Sequence, residues 1–439
     1  MIRLSNLNKV LRDISFYTAL VILAITFFTS VSIVSTKAAT FNVDSTIDAV
    51  DANPGDGICD TGKGFCSLRA AVMESNALLG PDDIVLESDS YAITIAGGDD
   101  AAANGDLDIT DDVLIQGQGA MDTTIDGNNI NRVFHIININ QEGQIEVEIF
   151  DLKIFNGEVN DLGGGIRNSS GNLLLERVLI EANNSRRGGG LANGSQATTN
   201  IRSSAIYENN VLAGPEQWGG GIYNSGELEM VNTTISNNNV GDLGGGIFNE
   251  GNLNIIFSTI ASNVSVSESS AGIHQTISGS TTIYASILAN NFSFDCGGTL
   301  LTSQGFNIST SNCNLNQPSD MPNTNPVIDF LQETSGDTMA HPLLNESPAI
   351  DLAGSEEACL DLGVDQRGSL RPRDGDLDKD AECDSGAFEL NPEIDSGESA
   401  GEGCSLVSMN SVTTLPLYML VPVLVVLAFG YRRNKISAN

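Results

Sequence analysis

Four carboxylates stand at alternate positions in Asp374-Gly375-Asp376-Leu377-Asp378-Lys379-Asp380. Hard oxygen ligands spaced in this way begin a loop that can wrap Ca²⁺, so Asp374, Asp376, Asp378 and Asp380 are candidate calcium ligands. Lys379 replaces the glycine that an EF-hand places sixth, and no Glu stands twelfth, so Asp384 or Glu382 would have to complete a different geometry. No other cofactor is expected. A second set is basic: Arg167, Arg177, Arg186, Arg187 and Arg202 cluster in sequence with Glu176 and Glu181 nearby, and no Lys or Arg follows until Arg367. Such a patch beside a bound cation could abstract a proton from an acidic sugar; the plainer reading is charge on a solvated face. The chain has 3 His. His135 lies in alternating Val133-Phe134-His135-Ile136 and reads as packed or turn-facing, His274 as a repeat-surface residue, and His341 precedes a proline. No Ser/His/Asp arrangement, and no other catalytic set, is legible in the order of the residues.

Elements must hold these groups, and composition limits which. The chain has 439 residues, 20 Lys+Arg against 56 Asp+Glu, and a net charge of −36, which argues against any nucleic-acid partner. A hydrophobic share of 41% excludes a wholly disordered chain. The region that decides the fold begins near residue 150. GGGIRN at 163–168, GGGLAN at 188–193, GGGIYN at 219–224 and GGGIFN at 244–249 recur, with a degraded copy at Ala271-Gly272-Ile273. Ile154, Ile180, Ile206, Ile235, Ile260 and Ile287 keep the same period, and Asn183, Asn209, Asn238, Asn263 and Asn290 follow five of them. A period of this length indicates a solenoid. Short β-type runs such as Leu228–Val231, broken by Gly and Asn, exclude helical repeats, and the leucine-rich frame is missing. The expectation is an all-β chain, a right-handed parallel β-helix over 83–325. About ten coils are expected, stacked ~4.8 Å apart. The Ile column would fill the interior, and the Asn column would hydrogen-bond along a turn. Asn263-Val264-Ser265 also matches a glycosylation acceptor, the weaker reading.

Solenoids need caps. At one end, 40–82 is expected to cap the coils through a short helix over Ser67–Leu79, with Ser67 as N-cap and Leu68, Ala71, Val72, Ala77 and Leu78 facing inward. At the other, 326–391 loses the period and reads as an irregular C-terminal cap. Arg3, Lys9 and Arg12, an apolar run, and Ala38-Ala39 give 1–39 the layout of a secretory signal. An acidic spacer and sorting motif over 392–414, with Gly403 and Cys404, precede an apolar span over 415–431. Arg432, Arg433 and Lys435 mark 432–439 as a basic tail on the cytoplasmic side. Cys59 and Cys66, Cys296 and Cys313, and Cys359 and Cys383 are neighbours in sequence, so disulfides between them are expected after export. Proximity alone supports that pairing, and other connectivities remain open.

Several segments resemble known families. Gly403–Leu406, followed by the apolar span and basic tail, resembles the JDVT-CTERM type of sorting signal in Gram-negative bacteria, which implies a sorting protease as partner; an unprocessed membrane anchor is the alternative. Cys66-Ser67-Leu68-Arg69-Ala70-Ala71-Val72 resembles the CSLREA motif of secreted bacterial β-helix proteins, with Ala70 in place of the usual Glu that would complete a capping box. Pro81–Leu86, Gly105–Ile109 and Asn131–Ile136 resemble further segments of the same proteins. Ser347-Pro348-Ala349-Ile350-Asp351, Asp365-Gln366-Arg367-Gly368 with Arg371-Pro372, and Cys383-Asp384-Ser385-Gly386-Ala387-Phe388-Glu389 are similar to the end of choice-of-anchor Q proteins. The resemblance covers residues 41–390 and implies a surface β-helix with no settled activity. The expected function is therefore an exported, anchored, non-enzymatic binding or adhesion module for extracellular polysaccharide or another cell-surface ligand. The alternative is a polysaccharide lyase or glycoside hydrolase; the GHG and RIK signatures of polygalacturonase-type hydrolases are absent.

Overall fold

The computed structural model describes residues 38–392, without 140–142, 213, 215, 268–269 and 356. The leader up to residue 37, most of the acidic spacer, Gly403, Cys404, the 415–431 span and the basic tail lie outside the described residues. Among those described, no helix is long and apolar enough to cross a membrane.

Strand residues alternate between an apolar interior and an exterior side, and the coil strands pair in parallel with their counterparts one coil later; Gln332–Glu333 and Met339–Ala340 form a separate antiparallel pair. The chain is an all-β parallel β-helix whose described helices are only Leu68–Ala77 and Glu357–Leu362. A first sheet includes Thr198–Arg202, Glu227–Val231, Asn252–Ile256 and Ser280–Tyr284. A second includes Ala205–Tyr207, Thr234–Ser236, Thr259–Ala261 and Ile287–Ala289. Glu146–Phe155 and Asn172–Glu181 run through both, turning at Asp151 and Arg177 with φ of 56° and 52°, so the two sheets form one 18-stranded array. The third sheet holds 8 strands, from Leu107–Ile109 to Cys296–Gly298.

Ile154, Ile180, Ile206, Ile235 and Ile260 lie one above another, each at most 1% exposed. The expected column then departs by one residue: Leu288, not Ile287, stacks on Ile260. One step of register reverses the side a strand residue faces. Ile287 therefore points outward and packs against Ala340, Leu343, Ala349 and Phe388. The amide column is displaced with it. Asn183, Asn209, Asn238 and Asn263 are followed by Asn291, while Asn290 takes the corner with φ of 55°.

This column is a continuous hydrogen-bond ladder. Each Nδ2 donates to the next Oδ1, from Asn183 through Asn209, Asn238 and Asn263 to Asn291, at 3.0, 3.0, 3.0 and 2.9 Å. The same Oδ1 atoms accept the main-chain N–H of the preceding Asn. The Nδ2 groups of Asn209, Asn238, Asn263 and Asn291 also donate to the carbonyls of Ile180, Ile206, Ile235 and Ile260, which closes each turn onto its neighbours. The ladder ends on buried Asp295, where only an acceptor is needed; its carboxylate takes bonds from Asn291, Ser309, Thr310 and Ser311. Asn263, fully buried and fully bonded, is structural rather than a glycosylation acceptor. A second ladder uses the last residue of the later three GGG repeats: Asn193 donates to Asn224 and Asn224 to Asn249, both at 2.8 Å, while Asn168 of the first repeat donates to the Thr199 hydroxyl instead. The first glycines, Gly163, Gly188, Gly219 and Gly244, have φ between 64° and 68°. At Gly164, Gly189 and Gly220 a Cβ would lie 2.3–2.5 Å from a carbonyl of the next coil, so the close stacking itself requires glycine there.

At the N-terminal end Ser67 caps Leu68–Ala77 by accepting from the Ala70 N–H. Ala70 is fully buried, so a longer side chain reaching back to the cap has no room. Leu68, Ala71 and Val72 enter the interior, while Arg69 is buried too and pairs with Asp48 at 2.6 Å. At the far end Leu301, Cys313 and Leu315 close the interior. Residues 326–391 lie along the flank of the second sheet, whose outward side mixes apolar residues that would otherwise face water with hydroxyls: Thr234 donates to Gln366, Ser236 bonds His341, and Thr259 accepts from the Ala387 N–H. Leu331 and Met339 pack on Leu179, Ala205 and Tyr207, and Leu343 and Phe388 pack on Ile287 and Ile308. The disulfides are Cys59–Cys66, Cys296–Cys313 and Cys359–Cys383, the pairs that are near in sequence. They place the described body in an extracellular or periplasmic compartment.

Truncating a ladder amide strands several buried groups at once. Asn238→Ala should cost about 3 kcal/mol or more of stability in a urea titration, whereas Asn239→Ala, at the exposed neighbouring position, should stay within about 0.5 kcal/mol.

Candidate functional site

The acidic loop is built by two segments distant in sequence. Asp374 and Asp376 come together with Asp351, with one ligand atom of each within 4.8 Å of the others. Asp378 and Asp380 are not part of that group; Asp378 accepts from the Asp380 N–H and Asp376 from the Asp378 N–H, so these contacts shape the loop's own turns. Asp351 accepts from the Asp376 N–H at 3.0 Å, and one oxygen of Asp374 is buried with no hydrogen-bond partner. Burial above all, aided by the charges of Asp376 and Asp374, pushes the Asp351 carboxyl up to about 6 against the pull of two backbone N–H bonds. These three acidic groups could hold a metal, and oxygen ligands favour a hard cation.

Beneath that loop the flank segment is ionic. Asp384 donates its N–H to Glu389, whose carboxylate also accepts from the Arg373 N–H and lies 3.5 Å from Arg371. Arg367 pairs with Asp365 at 2.8 Å and lies 3.5 Å over the Phe388 ring. Burial raises the Glu389 carboxyl to about 7 although Arg371 and both N–H donors oppose it; burial and the Glu389 charge raise Asp384 as well.

The early arginines are not gathered into one patch. Arg177 lies at the bend between the first two sheets, bonded to Asp151 and Glu176. Arg167 sits on the third sheet and bonds Asp161 at 2.7 Å. Arg187 pairs with Glu216 and stacks 4.3 Å over Trp218, and Arg202 is exposed on the first sheet. Lys153 faces Glu181 at 2.9 Å.

The outer side of the first sheet is open and polar. Register places Asn200, Glu229, Asn254 and Thr282 in one column and Thr198, Glu227, Asn252 and Ser280 in the next. The two columns line a groove of about 450 Å³. Asn252 donates to Glu227 at 2.6 Å, Asn254 to Glu229 at 3.0 Å, and Thr282 to Asn254 at 2.7 Å. These residues form no recognisable motif along the chain. The coil spacing alone aligns them.

Each histidine meets a serine. His274 stacks on Phe248 with centroids 5.5 Å apart and bonds the Ser270 hydroxyl at 2.7 Å; burial lowers its pKa. His341 is buried against Ser236 and the Asp329 carbonyl, and burial lowers its pKa too. His135 is packed, as its alternating surroundings imply, but on the outward side of the third sheet: Nδ1 is 3.0 Å from Asp108 Oδ1 and Nε2 is 3.0 Å from Ser169 Oγ. Strand register sets this arrangement, since Asp108 pairs with His135 and His135 with Arg167.

The class defined by this architecture is the parallel β-helix. No family model matches the chain, and no curated protein matches it. Among solved structures it is similar to pectate lyase Pel9A, with a TM-score of 0.37 and 14% identity over 82% of this chain and 98% of that one.

A carboxyl whose pKa rises on folding binds more protons folded than unfolded between the two values. Its contribution to stability is complete below the unfolded value of about 4.3 and is lost as pH climbs through the folded one. Urea midpoints should therefore fall between about pH 4.3 and the folded value of about 7, and Glu389→Gln should flatten that slope.

Proposed function

We propose that this chain is an exported surface protein whose first-sheet face binds extracellular carbohydrate, with the β-helix serving as a rigid rod that presents it. One observation carries the reading: amide, hydroxyl and carboxylate groups recur coil by coil on an open groove. The repeat of ~4.8 Å per coil is close to the length of a sugar ring, so a polysaccharide laid along the axis meets equivalent partners at each step. The face carries Glu and no Lys or Arg among the groove's residues, which favours neutral over anionic glycans. Export is supported by the disulfides and by the leader pattern, and anchorage by the apolar span with its basic tail. A JDVT-CTERM-like sorting step, involving Gly403 and Cys404 and a sorting protease, belongs to the same proposal, as does membership among the CSLREA and choice-of-anchor proteins.

A second reading, cleavage of the same polymer, draws on Glu227 and Glu229. Two residues apart, they share the outward side of one strand and both line the groove, which puts two carboxylates beside a bound polymer. Calcium is proposed at Asp351, Asp374 and Asp376, where it would neutralise the gathered carboxylates and tie the loop to the flank segment.

Two experiments test these readings. The purified exported protein should retain neutral oligosaccharides on a glycan array, and Asn254→Ala with Glu229→Ala should weaken binding roughly tenfold or more by calorimetry. Release of new reducing ends would replace binding by cleavage, and an array without any bound glycan would end both readings. Thermal melting should rise on adding Ca²⁺ to the wild type and stay unchanged in Asp351→Asn with Asp374→Asn; equal shifts in both proteins would remove calcium from this loop.

A further inference from the structure

We propose that Asp108, His135 and Ser169 form a catalytic triad that hydrolyses short O-acyl esters, such as those carried on extracellular sugars. The three residues come from three successive coils of the third sheet. Asp108 and His135 occupy the same outward position in adjacent strands, and Arg167 occupies it in the next. Ser169 follows directly on the end of that strand, Ile166–Asn168, and its hydroxyl reaches His135. The result is an ordered relay: carboxylate to Nδ1 at 3.0 Å, and Nε2 to hydroxyl at 3.0 Å. Because Asp108 accepts the Nδ1 proton, Nε2 is left as the acceptor for the Ser169 O–H, the tautomer a general base requires.

Burial is graded in the order this chemistry needs. Asp108 is 1% exposed and His135 7% exposed, while Ser169 is half-buried and lines a groove of about 720 Å³. His341 has the same two-sided form, but its second partner is a main-chain oxygen and its serine, Ser236, is buried; it has neither the orienting carboxylate nor an open nucleophile. The groove beside Ser169 is lined by Asn138, Gln144, Arg167, Ser170 and Gln196, a polar wall suited to an ester on a hydrophilic carrier rather than to a lipid tail. Arg167, bonded to Asp161, lines the same groove as Ser169 and is the cationic residue of its wall.

The chemistry balances with water as co-reactant. Ser169 Oγ adds to the ester carbonyl carbon as its proton passes to His135 Nε2. The carbon–alkoxy bond then breaks, and the leaving sugar oxygen takes that proton from the imidazolium. Water, deprotonated by Nε2, attacks the acyl-serine; the acid departs and Ser169 recovers its proton. Asp108 touches no reacting atom and acts as a positioning residue. This site is on a different sheet from the proposed glycan-binding face, and it stands or falls separately from that reading.

The test uses the exported, disulfide-bonded protein. A fluorophosphonate probe should add once, at Ser169 by peptide mapping, and the protein should release acetate from 4-nitrophenyl acetate and from an O-acetylated oligosaccharide. Ser169→Ala should abolish labelling and lower hydrolysis at least ~10³-fold with no change in melting temperature, since its side chain fills no core space. Asp108→Asn should lower kcat by ~10³–10⁴ at unchanged KM, which a merely structural carboxylate would not do. Asp100, Asp108 and His135 also lie close enough to share a cation. Hydrolysis that vanishes with EDTA and survives Ser169→Ala would therefore overturn the triad in favour of a metal. A folded wild type with neither adduct nor acetate release would also overturn it. If Asp108→Asn does not fold, the wild-type adduct and Ser169→Ala decide the matter.

Discussion

Coil-to-coil hydrogen bonding by buried carboxamides is the interaction on which this molecule depends. A parallel sheet alone fixes strand separation but leaves the corners between strands with unmatched N–H and C=O groups in an apolar interior. A carboxamide can donate and accept simultaneously, so a column of Asn satisfies the corner of its own coil and those of both neighbours. The column from Asn183 to Asn291 does this, and the Asn193–Asn224–Asn249 row does it at the opposite corner. Each residue shares its bonds with the coils on either side, so the coils must stack in register, and the register fixes the alignment of every other column.

The outward faces inherit that alignment, and they divide by what covers them. The second sheet mixes apolar and hydroxyl residues outside and is covered by the 326–391 segment, whose apolar contacts run from Leu179 to Ile308 and whose polar ones meet Thr234, Ser236 and Thr259. The first sheet is polar outside and open. The third carries the mixed column Asp108, His135, Arg167, Ala192, Tyr223, Phe248 and His274, ionic near one end and stacked rings near the other. Charge burial is concentrated where the repeat is absent or irregular: Arg69 with Asp48, Arg132 with Asp106, Arg371 near Glu389. Buried ion pairs contribute little net stability but strongly penalise misplacement of either partner. They suit segments that lack the ladder's own means of enforcing position.

Ending each ladder poses a separate problem, because the last carboxamide needs an acceptor and nothing beyond it needs a donor. Asp295 meets that need for the Asn column, and the second ladder ends where Asn249 donates to the Ser280 carbonyl and the Thr281 hydroxyl; beyond both, Asp320 accepts from the N–H and Nδ2 of Asn307. Asp295 and Asp320 both lie among hydroxyl and N–H donors from the closing segment, and in the Asn183–Asn291 column the change from Asn to Asp marks its last step.

Residue spacing alone determined the class of fold, the interior Ile and turn Asn columns, the role of the glycine triplets and the short capping helix, because each follows from a local period or a local backbone requirement. It could not determine the last step of those columns. The coil after Ile260 advances 28 residues to Leu288 rather than 27 to Ile287, which likewise exchanges Asn290 for Asn291, and only strand pairing counts residues across coils. Nor could it place Asp351 beside Asp374 and Asp376, or Asp108 and Ser169 on either side of His135. Those groups sit in separate coils or in separate stretches of the flank segment, and a carboxylate, an imidazole and a hydroxyl carry no sign in one dimension of which others they will meet. Stacking turns separations of about one coil into contact, and that conversion belongs to the tertiary structure.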